Sequence, residues 1–163
     1  MQGKIKNGIL RCLLPLFFIV CLTACGGEKS VTVQAGEKVS TALFDFTVSD
    51  VKTIDNYTGV DIPDGSKLVS MQLTVENTSE ETYTMFAEDF QLQWGDGDED
   101  FGTCLSAVDD NMVPYSYELE PGQSHTGTML VTVPDDCTKL TVAYQEIRAS
   151  GNKGTAYFVE AAL

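Results

Sequence analysis

This 163-residue chain has little histidine and tryptophan and lacks the closely spaced cysteine pairs that bind metals. It contains a single histidine, His125, and a single tryptophan. A Ser-His-Asp triad would have to use His125 as its base, yet no G-x-S-x-G nucleophile elbow accompanies it. No C-x-x-C pair is present to bind zinc. These absences predict that the protein is not an enzyme.

Basic residues are also few, and their distribution is uneven. All 24 acidic residues follow position 24, whereas three of the ten basic residues precede it, which leaves a net charge of −17 on the rest of the chain. A nucleic-acid partner would require the opposite sign, so none is expected. The same excess repels an anionic membrane surface, and we expect the domain to stand off the lipid and not to lie on it.

The N-terminus has the features of a lipoprotein signal peptide at residues 1–24. A basic segment precedes an uncharged apolar run of 11 residues at 12–22, well short of the ~20 needed to span a bilayer. The tetrapeptide Leu22-Thr23-Ala24-Cys25 resembles the bacterial lipobox, in which the cysteine is acylated and becomes the first mature residue. We therefore predict Cys25 as the lipidation site, with an ordinary signal peptide as the alternative.

The predicted acyl chains would hold the protein at the extracytoplasmic face of the cell membrane. Several acyl chains anchor a protein firmly, at ~0.8 kcal/mol per buried CH2. Residues 25–30 form a short glycine-containing tether that reaches roughly 13 Å on average.

Cys104 and Cys137 are the only cysteines left to pair after the predicted cleavage, because Cys25 is the acylated residue. A disulfide between them would stabilise the fold by roughly 3–4 kcal/mol in the chain-entropy model. Two buried free thiols are the alternative, because sequence alone does not give the distance between the two residues.

Residues 31–163 are long enough for one domain, and a period of two dominates their pattern. In "LVSMQLTVEN", apolar Val69, Met71, Leu73 and Val75 alternate with polar residues. The segments beginning at Phe44, Phe90, Met129 and Leu140 repeat this pattern, and no segment keeps a helical period beyond a possible turn near 105–111. Turn sequences such as "PDG" and "EPGQ" separate the segments. The pattern predicts an all-β sandwich of about eight strands.

Three stretches carry a resemblance to a known family: "VSMQLTVENTS" at 69–79, "LEPG" at 119–122 and "GTMLVTVP" at 127–134. Together with their flanks, over roughly residues 31–161, they resemble a bacterial immunoglobulin-like domain of unknown function. That family is grouped with a mycobacterial secreted immunogenic antigen. The resemblance implies an immunoglobulin-like antiparallel β-sandwich, a location in the cell envelope and no known catalytic residues. Cys104 and Cys137 are not part of the family pattern.

The most polar cluster is "WGDGDEDFG" at 94–102, in which Asp96, Asp98 and Asp100 occupy every second position. Carboxylate oxygens at this spacing suit Ca²⁺. The glycine and glutamate that an EF-hand needs further along are missing, so a solvated hairpin turn is the simpler interpretation. Weak calcium binding, with help from Asp109 and Asp110, is the alternative, and no other cofactor is expected.

Several further residues have both a functional and a structural interpretation. His125 falls on the polar side of its strand, which predicts a solvent-facing position. Tyr115 and Tyr117 could form an exposed aromatic rim, although their spacing favours a shared buried face. Met71 and Met129 lie on the apolar alternation, which favours core packing over copper binding.

Two functions are consistent with these features. The first is a lipid-anchored, non-enzymatic module that binds or stabilises another component of the cell envelope, for example by strand addition. The second is an extracytoplasmic receptor for an ion or a small cationic ligand at the acidic 95–100 loop.

Overall fold

The computed structural model describes residues 29–97 and 99–163. The predicted signal peptide, Cys25 and Asp98 lie outside the described residues. The described part contains one 3-10 helix, Ala87–Asp89, and eleven strands. The strands are β1 (Ser30–Gln34), β2 (Lys38–Ser40), β3 (Phe44–Ile54), β4 (Ser66–Asn77), β5 (Tyr83–Phe86), β6 (Phe90–Gln93), β7 (Phe101–Gly102), β8 (Ser116–Leu119), β9 (Ser124–Pro134), β10 (Lys139–Ile147) and β11 (Lys153–Ala162).

The strands form three sheets. One has the order β1-β11-β10-β6-β7, the second has the order β2-β3-β4-β9, and β5 pairs with β8 alone. The predicted all-β, immunoglobulin-like sandwich is confirmed. One pairing departs from the antiparallel arrangement, because β1 runs parallel to β11. Segment 105–111, for which the sequence allows at most one helical turn, contains bends and a turn.

Side chains from the two larger sheets meet in the main core. Phe46 on β3 lies 5.2 Å from Phe90 on β6, and Phe44 lies 4.8 Å from Tyr144 on β10, both measured between ring centroids in edge-to-face geometry. Such aromatic pairs contribute about 0.5–1.5 kcal/mol beyond the burial of their surface. The apolar alternations that predict these strands therefore mark the core correctly, and Met71 and Met129 are both fully buried within it.

A second, smaller core covers part of the outer face of β4 and β9. It contains Leu68, Met112 and Leu130, packed against partly buried apolar side chains from the segments 54–62 and 105. The backbone of segment 103–113 lies along the outer edge of β9: Leu105 donates to the Leu130 carbonyl at 2.7 Å, and Val113 donates to the Thr128 carbonyl at 2.9 Å. Both faces of β4 are consequently buried at this end of the sheet.

Gly127 permits this close approach of segment 103–113 to β9. A Cβ at Gly127 would lie 2.9 Å from the backbone nitrogen of Val113, closer than a real Cβ contact allows. The predicted turn at 120–123 is also confirmed, because Gln123 donates to the Glu120 carbonyl at 2.9 Å and Gly122 has φ +77°.

Candidate binding surface

Phe86 and Tyr115 are two exposed aromatic side chains next to a hollow in the protein surface. Phe86 is 39% exposed at the end of β5, and Tyr115 is 66% exposed just before β8. Their rings lie 5.9 Å apart at an interplanar angle of 74°, an edge-to-face pair. Exposed aromatic side chains of this kind are enriched at the centres of protein interfaces.

The backbone holds this aromatic pair in place. Phe86 is opposite Ser116 in the β5-β8 ladder, and the amide of Ala87 donates to the Tyr115 carbonyl at 3.1 Å. The amide of Phe86 also donates to a carboxylate oxygen of Asp89 at 2.8 Å. These bonds order the backbone that carries both rings, so little backbone conformational entropy remains to be lost when a partner binds.

An open hollow of about 260 Å³ lies next to Tyr115. Ala87, Leu105, Val113 and Pro114 supply apolar walls, while Glu88 and Cys104 supply polar atoms. Burial raises the pKa of the Cys104 thiol, so this cysteine is in its thiol form at neutral pH. Together with Phe86 and Tyr115, this hollow makes up what we call the aromatic surface.

The two tyrosines predicted to share a face have different environments. Tyr115 precedes the strand and is exposed, as the rim alternative predicts. Tyr117 lies within β8 and is half-buried, with its ring 4.3 Å from that of His125. The shared buried face is therefore wrong for Tyr115, because β8 begins only at Ser116.

The predicted solvent-facing position of His125 is wrong as well. His125 is half-buried against Tyr117, and burial lowers the pKa of its imidazole. Neither His125 Nε2 nor the Tyr117 hydroxyl has a hydrogen-bond partner among the described residues. Burial also raises the pKa of Tyr117. No nucleophile is hydrogen-bonded to His125 in the described part of the chain, so it is not placed as a catalytic base.

Cys104 and Cys137 are free thiols in the structure, so the predicted disulfide is not formed there. Cys137 is buried, and its Sγ lies 3.0 Å from the Lys139 carbonyl oxygen and 3.4 Å from that of Trp94. Cys104 instead lines the hollow beside Tyr115. The separate surroundings of the two thiols match the free-thiol alternative.

The acidic 95–100 loop forms the connection between β6 and β7. Asp96 is almost fully exposed and lies 3.5 Å from the Lys139 ammonium, while Asp100 accepts the Gly97 amide at 2.8 Å. Asp109 accepts a hydrogen bond from the Tyr57 hydroxyl at 2.9 Å. Across residues 29–97 and 99–163, no group of three or more His, Cys, Asp or Glu side chains could hold a metal ion. Asp98 is not described, and calcium binding stays a prediction.

The family motifs meet at a buried asparagine that sequence reasoning did not single out. Asn77 is 1% exposed, and its side-chain amide donates to the carbonyls of Glu81 at 2.7 Å and Leu119 at 2.8 Å. Its side-chain oxygen accepts the amide and hydroxyl of Ser79. Its backbone carbonyl accepts the Gly122 amide at 2.9 Å. The "ENTS" and "LEPG" stretches are therefore structural partners, which explains their pattern without a ligand.

Comparison with known proteins places this fold in a family. Residues 33–154 match the family described as Domain of unknown function (DUF4352). No curated protein matches the chain. In the part of the chain that the structure describes, no helix has the length and apolarity to cross a membrane.

Solved structures with the same fold come from several bacteria. The yjhA protein of Bacillus subtilis is 20% identical, with a TM-score of 0.60 over 78% of this chain and 97% of that one. The secreted protein MPT63 of Mycobacterium tuberculosis is 16% identical, with a TM-score of 0.57 over 80% of this chain and 98% of that one. The candidate lipoprotein ycdA of Bacillus subtilis is 15% identical, with a TM-score of 0.61 over 77% of this chain. The match spans only 38% of the ycdA chain.

Proposed function

The chain belongs to the DUF4352 family, and from this premise we propose that it is a lipid-anchored, non-enzymatic binding module of the cell envelope. Cys25 carries the anchor, and the aromatic surface engages another envelope component. The lipobox sequence supports the anchor, and the same fold occurs in a secreted protein and in a candidate lipoprotein.

The exposed pair of Phe86 and Tyr115 is the observation that carries this proposal. Burying the apolar surface of an exposed aromatic side chain is favourable by about 25 cal/mol per Å². Here the two rings contact each other on hydrogen-bonded backbone beside a partly apolar hollow, so a partner that covers both rings buries apolar surface without having to order the backbone. Aromatic residues in this setting are typical interface hot spots.

In-cell crosslinking followed by mass spectrometry tests the proposal. The full chain is compared with a Phe86→Ala/Tyr115→Ala variant and with Cys25→Ala, which removes the proposed acylation site. Phe101→Ala is the matched control, because Phe101 is also an exposed aromatic residue, at 58%, but does not line the hollow beside Tyr115. We expect one enriched protein with the wild type and with Phe101→Ala.

The double variant should reduce that enrichment at least about tenfold, which corresponds to a loss of about 1.4 kcal/mol in binding. Equal capture by the wild type and the double variant would place the partner elsewhere on the domain. Capture unaffected by Cys25→Ala, together with an unmodified Cys25 peptide, would overturn the lipid anchor. Turnover of an envelope substrate by the purified chain would overturn the non-enzymatic assignment.

A further inference from the structure

The tip of the β10-β11 hairpin is the most cationic part of the described chain. It comprises residues 147–153, "IRASGNK", all of which are exposed. The turn is closed by the amide of Arg148, which donates to the Asn152 carbonyl at 2.9 Å, and by the amide of Gly151, which donates to the Arg148 carbonyl at 2.7 Å. Ile147, at the base of the tip, is 60% exposed.

Three of the seven basic residues that follow position 24 are gathered here. Arg148 and Lys153 belong to the tip, and Lys29 joins them because the Ala156 amide donates to the Lys29 carbonyl at 2.8 Å. No acidic residue occurs from Ile147 to Val159. The neighbouring Glu146 carboxylate accepts the amides of Ala42 and Thr155 and so faces the protein, whereas Glu88 and Asp89 line a hollow beside Ile147.

The parallel pairing of β1 with β11 directs the tip and the N-terminal tether to the same side. Ser30 is opposite Ala156, so the chain before Lys29 and the chain before Thr155 run towards the same end of the sheet. Gly151 lies four residues before Thr155 and therefore projects at most about 13 Å past Lys29, at ~3.3 Å per residue. The four residues from Cys25 to Lys29 span at most about 14 Å.

We propose that the β10-β11 tip, together with Lys29, binds the anionic lipid headgroups of the membrane in which the Cys25 anchor is inserted. This inference rests on the proposed lipidation of Cys25. The tether and the tip have nearly the same maximum reach, so an acylated Cys25 brings the tip to headgroup depth. Cations near an anionic leaflet are attracted to it, and an exposed isoleucine adds contact with the interface.

This contact fixes the orientation of the domain. The strongly acidic remainder of the chain is repelled by the same surface, so the domain stands on one corner with its other end turned away. Trp94, which follows β6 at its Gln93 end, lies at the opposite end of the sheet from the tip, because Gln93 pairs with Thr141 and Phe90 pairs with Tyr144.

Fluorescence quenching by brominated lipids tests the inference with the chain's own tryptophan as the reference. The acylated full chain is reconstituted into vesicles of brominated phosphatidylcholine with and without phosphatidylglycerol. A Trp94→Phe/Ile147→Trp variant moves the single tryptophan to the tip, and Trp94→Phe/Ala149→Trp serves as a second tip probe. We expect strong quenching of both tip probes and little quenching of native Trp94.

Charge variants separate the headgroup contact from simple proximity. Arg148→Glu in the Ile147→Trp background should reduce quenching in the anionic vesicles, and higher salt should do the same. Lys52→Glu is the matched control, since Lys52 is an exposed cation on β3 of the other sheet, and it should leave quenching unchanged.

Three results would overturn the inference. If mass spectrometry shows no lipid on Cys25, both the anchor and the headgroup contact fail. If Cys25 is acylated and the tip probes are quenched no more than Trp94, the headgroup contact fails alone. Equal quenching with and without phosphatidylglycerol would overturn the assignment to anionic headgroups.

Discussion

The buried side chain of Asn77 joins the turn at 79–81 to Leu119 on β8. Its amide donates to the buried Leu119 carbonyl and to the Glu81 carbonyl, which also accepts the Ser79 hydroxyl. Asn77→Ala would remove the side-chain donor to the buried Leu119 carbonyl, and we expect the free energy of unfolding to fall by roughly 1–3 kcal/mol. Urea denaturation followed by circular dichroism measures this change.

Asn56→Ala is the control for that substitution, because Asn56 is exposed in the loop after β3. Its effect should stay within about 0.5 kcal/mol. A similarly small effect of Asn77→Ala would mean that water replaces the amide, and the motif would then require another explanation, such as a ligand.

His125 makes stability depend on pH. Burial lowers the pKa of its imidazole in the folded state, whereas the unfolded chain binds the proton with a pKa of about 6.5. The folded state therefore favours the neutral imidazole. Its contribution to stability is complete above the unfolded pKa and is lost as the pH falls from that value through the folded pKa.

We expect the melting temperature to decrease as the pH is lowered from neutral towards 5, and His125→Phe to flatten this decrease. Phenylalanine keeps a ring against Tyr117 and removes the titration. Carboxylates such as Asp45 and Glu146, whose pKa values are lowered, weaken the fold only at more acidic pH. An unchanged slope in His125→Phe would contradict the assignment to His125.

Individual core residues follow from the alternating pattern when it is counted along the whole strand. The face that carries Phe44, Phe46 and Val48 is predicted correctly because a period of two assigns each side chain to one face of the sheet. The outward position predicted for His125 is wrong because the same period, counted back from Met129, puts His125 on the inward face of β9, opposite buried Val75. The sequence does not show that this inward ring packs on Tyr117, which comes from a separate two-stranded sheet.

At the scale of the elements, long strands are predicted well and short ones poorly. The strands β3, β4 and β9 contain 11 or 12 residues and show clear alternation. β2 and β7 have three and two residues, too few to show any period. The parallel pairing of β1 with β11 joins the two ends of the described chain, a contact that depends on the whole fold and not on local sequence.

Segment 103–113 is the element whose packing depends most on a neighbouring glycine. In Gly127→Ala, the new methyl group would overlap the backbone of Val113, so the segment must move away from β9. We expect a loss of roughly 1–3 kcal/mol in the free energy of unfolding. Amide hydrogen exchange should accelerate at Leu105 and Val113, whose amides bond to β9.

Thr126→Ala is the control for this segment, because Thr126 is exposed on the same strand. It should leave the exchange of the Leu105 and Val113 amides unchanged. Wild-type exchange rates in Gly127→Ala would show that segment 103–113 tolerates the added methyl group without leaving β9.

At the scale of the whole molecule, sequence gives the net charge but not where the charges gather. The three cations near the β10-β11 tip are far apart in sequence: Lys29 is more than a hundred residues from Arg148 and Lys153. Only the strand register brings them to one end. The predicted stand-off from the membrane and the proposed contact at one corner are therefore compatible.

The net charge of −17 on the residues after position 24 also predicts how the melting temperature responds to salt and calcium. Repulsion among the carboxylates destabilises the compact state, and the Debye length falls to about 8 Å at physiological ionic strength. We expect the melting temperature to rise as sodium chloride is added. Calcium should raise it no further at equal ionic strength, because Asp96 faces the Lys139 ammonium and Asp100 is bonded to the Gly97 amide.

Differential scanning fluorimetry with sodium, magnesium and calcium chlorides at matched ionic strength distinguishes screening from a site. A rise specific to calcium that disappears in Asp96→Asn/Asp98→Asn/Asp100→Asn would establish the acidic 95–100 loop as a calcium site. The matched variant Asp135→Asn/Asp136→Asn removes two exposed charges from another turn and should retain any such rise. Equal melting curves in the three salts would mean that the carboxylates of the 95–100 loop affect stability only through the overall charge of the protein.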